Sequence, residues 1–283
     1  MDKTGQVDVI FLDFSKAFDK VSHSKLLAKL EFYGIRGQVL TWIQAFLSNR
    51  SQVVAVNGCH SSTAQVTSGV PQGSVLGPIL FSIYINDIVE RVGSHMRLFA
   101  DDSVVYRQIR SEEDHAALQN DLDILTRWAQ DWQMAFNVKK CVLLPITRKR
   151  KPSVFNYSMC GETLKKVTSH EYLGVTVSHD LRPAEHIKNV TAKARSTLGI
   201  VRRTLKSCTQ QVKERAYQAL VRPKLEYASC SWNPHTDTDT NAVEQVQKEA
   251  ARFVTGQYET TASTSKMVRD LGQPREQTQT GSL

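Results

Sequence analysis

The chain has 283 residues, 41% of them hydrophobic and 23% charged, a balance that lets a globular protein bury one sizeable core or two modest ones. Wholesale disorder is excluded, and no run approaches the ~18 consecutive apolar residues of a membrane span; the most apolar stretch, Val75 to Ile85, is broken by Gly77, Pro78 and Ser82. The net charge of +8 is unevenly placed: residues 1–138 balance at −3, residues 139–224 at +14 and residues 225–283 at −3. An excess of that size in one segment points to a polyanionic partner. Five separated cysteines without a C-x-x-C pair, and an N-terminus without an apolar leader, predict an intracellular protein with reduced, mostly buried thiols.

Val7 to Leu12 is an apolar β-rich run ending at Asp13, which predicts a buried strand with a carboxylate at its C-terminal end. Ser22 or Ser24 then caps a helix bearing Leu26, Leu27, Leu30 and Tyr33, stopped by Gly34; Val39, Trp42, Ile43 and Phe46 repeat the spacing in a second. Asn57-Gly58, central in the stretch from Ser51 to Thr67, predicts a hairpin. The loop Gly69-Val70-Pro71-Gln72-Gly73 precedes an apolar helix from Leu76 to Val92. Residues 96–100 and 103–106 read as strands joined through Asp101-Asp102, and a helix follows over about 112–134 with acids in its first turn. Strands are expected at 141–146, 155–159 and 172–177.

From Pro183 the period turns helical. Ile187, Val190, Ala194, Leu198, Val201 and Leu205 form one stripe, with Lys188, Lys193, Arg195, Arg202, Arg203 and Lys206 off it, suited to a phosphate backbone. Val212, Ala216, Ala219 and Leu220 form a second stripe, and a third helix is expected from Asn241 to Val254. A domain boundary is placed near 180, and residues from Gln273 onward read as a disordered tail.

An Asp-Asp pair in a turn is common, but apolar strands flank Asp101-Asp102 on both sides, where like charges repel and a divalent cation relieves the repulsion. If Asp13 lies on the neighbouring strand, three carboxylates converge at one edge. Oxygen ligands without nearby His or Cys favour Mg²⁺ or Mn²⁺, and such a cluster suits two ions. These acids alone do not separate a polymerase from a nuclease.

Residues 9–21 (Val-Ile-Phe-Leu-Asp-Phe-Ser-Lys-Ala-Phe-Asp-Lys-Val), residues 69–78 around Pro71-Gln72-Gly73, Leu98-Phe99-Ala100-Asp101-Asp102 and Tyr172-Leu173-Gly174 resemble, in order and spacing, successive reverse transcriptase motifs. The Phe-Ala-Asp-Asp form and Arg252 to Gly256 resemble non-LTR retrotransposons of the jockey and long-interspersed-element kind. The resemblance implies an α+β right-hand polymerase. Residues 1–180 would form the palm, an antiparallel sheet with packed helices; 181–256 an all-α, basic, thumb-like region; and 257–283 a disordered extension. Only twelve residues precede Asp13, so the fingers are expected to be largely missing and the chain to be a fragment of an element's polyprotein.

The resemblance further implies that Asp13 and Asp101 ligate two Mg²⁺ (or Mn²⁺) ions, with Asp102 as companion acid. Phe18 would be the aromatic gate that excludes a 2′-OH. Gln72 and Gly73 would lie against the incoming nucleotide, Lys140 would assist the leaving pyrophosphate, and Tyr172, Leu173 and Gly174 would position the primer. RNA template, DNA primer and dNTP are the implied partners, with no membrane, and a cytoplasmic ribonucleoprotein and the nucleus the implied locations. Two other readings stay open: an inactive remnant that binds RNA–DNA duplex, and a two-metal nuclease.

Overall fold

A computed structural model describes residues 5–257. It divides into two compact units, one reaching to Ser169 and the other starting at His170.

In the first unit, β1 (Gln6–Asp13) is buried along almost its whole length, as its run of Val, Ile, Phe and Leu requires. It is followed by α1 (His23–Phe32), with Ser22 at its N-cap, and α2 (Gly37–Leu47). Ile43 and Leu47 of α2 enter the core, whereas Val39 and Trp42 of the expected stripe are exposed. Four short strands, β2 (Arg50–Gln52), β3 (Ala55–Val56), β4 (Cys59–His60) and β5 (Ala64–Val66), pair as nested antiparallel ribbons. Asn57 and Gly58, both at positive φ (50° and 81°), make the tip, as their sequence predicts.

The apolar helix α3 (Leu76–Ile85) is shorter than expected because residues 86–91 tighten into a 3₁₀ turn. Strands β6 (His95–Phe99) and β7 (Asp102–Gln108) form the hairpin carrying the acids, and α4 (Glu112–Asp131) starts in a Ser111/Asp114 capping box. Then come β8 (Val142–Thr147), β9 (Ser158–Met159), β10 (Glu162–Thr163) and β11 (Lys165–Lys166). The main sheet runs β11-β8-β1-β7-β6, antiparallel except for the β11–β8 pair. The α+β expectation is met.

Two buried polar arrangements in this unit carry no sequence signature. Lys29 Nζ lies 2.6 Å from the Tyr84 carbonyl, 2.7 Å from Asp87 Oδ1 and 3.5 Å from the Trp132 ring centre. Burial pulls the pKa of Lys29 down, against the pull of Asp87. Behind β1, Tyr157 donates to Asp8 Oδ2 (2.9 Å), His115 sits 2.7 Å from the Tyr157 hydroxyl and 2.8 Å from Ser153 Oγ, and Gln6 closes the ring through Asp8 and Ser153. Satisfied on all sides, such a network fixes strand order and helix register at once.

Burial also pushes the Tyr84 hydroxyl up to about 12 and the Cys141 thiol up to about 11, and raises Tyr157 in the same direction. Each group is favoured neutral when folded, so its contribution is complete below its unfolded pKa and is lost as pH rises toward the folded one. The denaturant midpoint is expected to stay level from about pH 7 to 8.5 and fall above that, with Tyr84 alone accounting for about 2–3 kcal/mol by pH 12. Urea titrations across that range check it; a midpoint level to pH 11 would refute it.

The second unit opens inside the hairpin of β12 (Ser169–Tyr172) and β13 (Val175–Ser178), whose first residue, Ser169, is the last of the first unit. This hairpin is tied to the helix that follows it: the Thr176 amide donates to His186 Nδ1 at 3.1 Å. Helices α5 (Ala184–Thr204), α6 (Gln210–Ala216), α7 (Arg222–Glu226), α8 (Ser229–Trp232) and α9 (Asp237–Thr255) complete it. Ala194, Leu198 and Val201 pack with Tyr217, Val221 and Leu225 and with Val246, Ala250 and Phe253.

Val212 and Leu220, expected in the core, are exposed. The buried face instead runs through Glu214, Tyr217, Val221 and Leu225, and residues 217–221 within it form a π turn. Helix α9 begins four residues early, capped by Thr236, whose hydroxyl accepts the Asp239 amide at 3.1 Å. The expectation of mostly buried thiols is also corrected. Cys141 alone is buried; Cys59, Cys160 and Cys230 lie on short strands, turns or a one-turn helix and are exposed, and Cys208 is intermediate. The expected disordered tail from Gln273 lies outside the described residues. Among the described residues no helix is long and apolar enough to cross a membrane.

Candidate active site

Asp13 ends β1 and stands directly opposite Asp102, the first residue of β7. Cross-strand partners project to the same face, so the backbone register alone brings these two carboxylates together. Asp102 also pairs with Phe99 across the β6–β7 hairpin, which leaves Ala100-Asp101 as a two-residue turn with Ala100 at φ 51°. A non-glycine residue held in the left-handed region is strained by about 1–2 kcal/mol, and here it sets the turn that presents Asp101.

The structure thus gathers Asp13, Asp101 and Asp102 at one end of the sheet, but as two opposed acids plus one in the turn. Among the described residues no group of three or more His, Cys, Asp or Glu side chains is already arranged around a metal-sized site; the three acids share one sheet end in this two-plus-one arrangement. The cause is local: Asp101 precedes the ladder, and successive residues point in opposite directions. In donor chemistry the opposed pair fits a hard divalent cation, since all its ligand atoms are carboxylate oxygens.

Lys140 arrives from the other side. The chain after β1 runs beside 135–137: Ser15 N donates to Ala135 O (2.7 Å), Asn137 N donates to Asp13 O (2.8 Å), and the Phe14 and Phe136 rings stack at 4.5 Å. A tight turn follows, with Lys140 N on Asn137 O at 2.9 Å, and Lys140 Nζ ends 3.5 Å from Asp13 Oδ2. Both side chains are solvent-accessible, so the pair adds little stability and leaves the ammonium available.

Phe18 opens a short 3₁₀ turn, and one face of its ring stacks on the buried Phe81 at 4.3 Å. The loop carrying Gln72 is docked on that turn. Gly69 N donates to Val21 O (2.8 Å), Val70 N to Phe18 O (2.9 Å), and Gln72 Nε2 to Asp19 Oδ1 (3.2 Å). Gly73 needs its positive φ of 79° but has open space around it. Sequence reasoning missed Arg50, whose Nη2 donates to Gly69 O at 3.0 Å; with Asp19, Ser68 and Gln72 it lines a hollow of about 540 Å³. Arg50 follows a helix with no distinguishing pattern, so nothing in the sequence marks it.

In the second unit, Leu173 (φ 48°) and Gly174 (φ 77°) form the turn between β12 and β13, where a continuous strand is expected. Tyr227 braces it, its hydroxyl donating to Leu173 O at 3.0 Å. Of the cations off the α5 stripe, Lys193 meets Glu171 (3.5 Å), Arg195 meets Glu249 (3.4 Å), and Arg202 donates to the Glu249 carbonyl. Lys188, Arg203 and Lys206 make no ion pair among the described residues, and Lys193 and Arg195 stay exposed in theirs.

The family model described as reverse transcriptase (RNA-dependent DNA polymerase) matches residues 2–177. The chain is 29% identical over 260 residues to the RNA-directed DNA polymerase from mobile element jockey of Drosophila melanogaster, covering 87% of this chain and 28% of that protein. It is 27% identical over 267 residues to the probable RNA-directed DNA polymerase from transposon BS of the same species, covering 88% and 29%. Among solved structures, a telomerase from Candida tropicalis in complex with a fragment of telomeric RNA aligns at TM-score 0.45 and 10% identity, over 95% of this chain and 49% of that one. The chain thus spans under a third of the length of the jockey and BS relatives.

Proposed function

The chain belongs to the reverse transcriptase (RNA-dependent DNA polymerase) family, and from that premise we propose that it carries the nucleotide-transfer edge of an RNA-directed DNA polymerase of a jockey-like non-LTR element. In the proposed reaction a DNA primer 3′-OH attacks the α-phosphate of a dNTP opposite an RNA template, forming an O–P bond and releasing pyrophosphate. The observation that supports this reading best is the register of Asp13 against Asp102, with Asp101 in the adjoining turn and Lys140 Nζ 3.5 Å from Asp13.

Asp13, Asp101 and Asp102 would hold the divalent ions, Mg²⁺ or Mn²⁺. When bound, two such ions lower the pKa of the attacking hydroxyl and offset charge on the leaving group. Lys140 gives positive charge or a proton to the pyrophosphate. The free face of Phe18 packs under the sugar, Gln72 and Gly73 lie against the incoming nucleotide, and the Tyr172-Leu173-Gly174 turn orients the primer end. Other parts of the element's polyprotein are further partners, and cytoplasmic ribonucleoprotein and nucleus are the locations this function requires. The +14 charge of residues 139–224 supports a second reading, in which the chain binds RNA–DNA duplex without chemistry.

A labelled DNA primer annealed to RNA tests the two together. Extension with dNTP and Mg²⁺ that stops on chelation, and is absent from Asp101→Ala, supports polymerisation. Retention of the duplex without extension even in Mn²⁺ supports the second reading, and shortening of the labelled strand would make the site a nuclease.

A further inference from the structure

The basic excess of the first unit does not gather at the carboxylates. Strand β8 is antiparallel to β1 with Thr147 opposite Gln6, so the run Arg148-Lys149-Arg150-Lys151 leaves the sheet at the end opposite Asp13. Seven residues of strand at ~3.3 Å each put it about 23 Å from that acid. The run is short and held at both ends. Thr147 Oγ1 donates to Gly5 O at 3.0 Å, and Ser153 is fixed by Gln6 and by the buried His115.

The same end of the sheet carries more of the same chemistry. Ile109 N donates to Gln6 O at 2.9 Å, which sets Arg110 beside the start of β1, two strand spacings or about 10 Å from Arg148. His95 and Tyr106, partners across β6 and β7, stack at 5.3 Å, and with Arg107 and Arg110 they line a hollow of about 510 Å³. Asp114 engages Arg107 at 3.2 Å and Arg110 donates to Gln108, so these guanidinium groups are oriented by neighbours.

We propose that this far end of the sheet is a binding surface for single-stranded RNA, in which the 148–151 run takes phosphates and the His95–Tyr106 hollow takes a base. Cations beside an aromatic stack are what a single strand uses, since every base has a face to stack and every nucleotide a charge. An acidic receptor that reads a basic peptide by drawing it out into a groove fits less well, because the run is anchored at residues 147 and 153. The surface is independent of whether Asp13 and its neighbours perform chemistry.

The test is binding of a fluorescein-labelled oligouridine to the full chain across a salt series. Arg150→Ser/Lys151→Ser removes two exposed charges and is expected to reduce the log–log salt slope by about 1.4. His95→Ala, at an exposed position, is expected to weaken binding at least fivefold with the slope unchanged. Unchanged slope and affinity in both variants would overturn the proposal, as would capture of the 148–151 run by an import-type receptor with RNA binding unaffected. Circular dichroism of both variants identical to the parent excludes misfolding as the cause of a loss.

Discussion

Asp13→Asn is expected to lower primer extension by two to four orders of magnitude while leaving the chain as stable as the parent or slightly more so. Losing a carboxylate ligand removes several kcal/mol of transition-state stabilisation, and each 1.4 kcal/mol is a factor of ten. The fold has no reason to suffer. Asparagine is nearly isosteric, the backbone bonds that seat this position are unchanged, and the substitution removes a like charge directly opposite Asp102, a repulsion of about 0.2–1 kcal/mol. Activity and stability thus move in opposite directions, which a structural role for Asp13 does not produce. Lys140→Ala at the same edge is expected to cost less, about a hundredfold, because the ammonium is exposed and bulk water partly replaces it. Extension rates beside urea midpoints decide it; Asp13→Asn with parental extension would remove this acid from the site.

Features that depend on residues close in sequence were legible. The apolar run of β1, the Asn57-Gly58 tip and the acidic first turn of α4 each have a local cause, and each is where its pattern places it. The acids at the β6–β7 turn were legible for the same reason, and β1 supplies Asp13 to them through pairing that alternation and length allow. What escaped was set at long range. No pattern announces that His115, Tyr157 and Asp8 meet 42 to 149 residues apart, or that Lys29 is buried under Trp132. The face of the 210–226 helical segment escaped for a different reason: two stripes of helical spacing compete there, and the one buried runs through Glu214, Tyr217, Val221 and Leu225, leaving Val212 and Leu220 exposed. The arrangement of the carboxylates as two plus one escaped for a local reason, being decided by which residue of Asp101-Asp102 first joins the ladder.

Gly69→Ala is expected to destabilise the first unit by about 2–5 kcal/mol, far more than the same change at Gly73. At Gly69 two penalties coincide. The backbone sits at φ +86°, where an L side chain is disfavoured by about 1–2 kcal/mol. A Cβ there would also lie 2.8 Å from the Asp19 Cα and carbonyl oxygen and 2.9 Å from the Phe18 carbonyl oxygen, all backbone atoms that no rotamer change moves aside, and overpacking of this kind adds about 1–3 kcal/mol. Relief by shifting the loop would stretch the bonds of Gly69 N to Val21, Val70 N to Phe18 and Arg50 to the Gly69 carbonyl. Gly73 has a similar φ, +79°, but nothing within 4 Å of its Cβ position, so only the conformational penalty of about 1–2 kcal/mol applies. The same shift would carry Gln72 away from Asp19, so a folded residue of Gly69→Ala should bind nucleotide more weakly than Gly73→Ala does. Parallel urea titrations give the comparison, and equal losses at the two glycines would mean that the 69–73 loop is not seated on the Phe18–Asp19 turn.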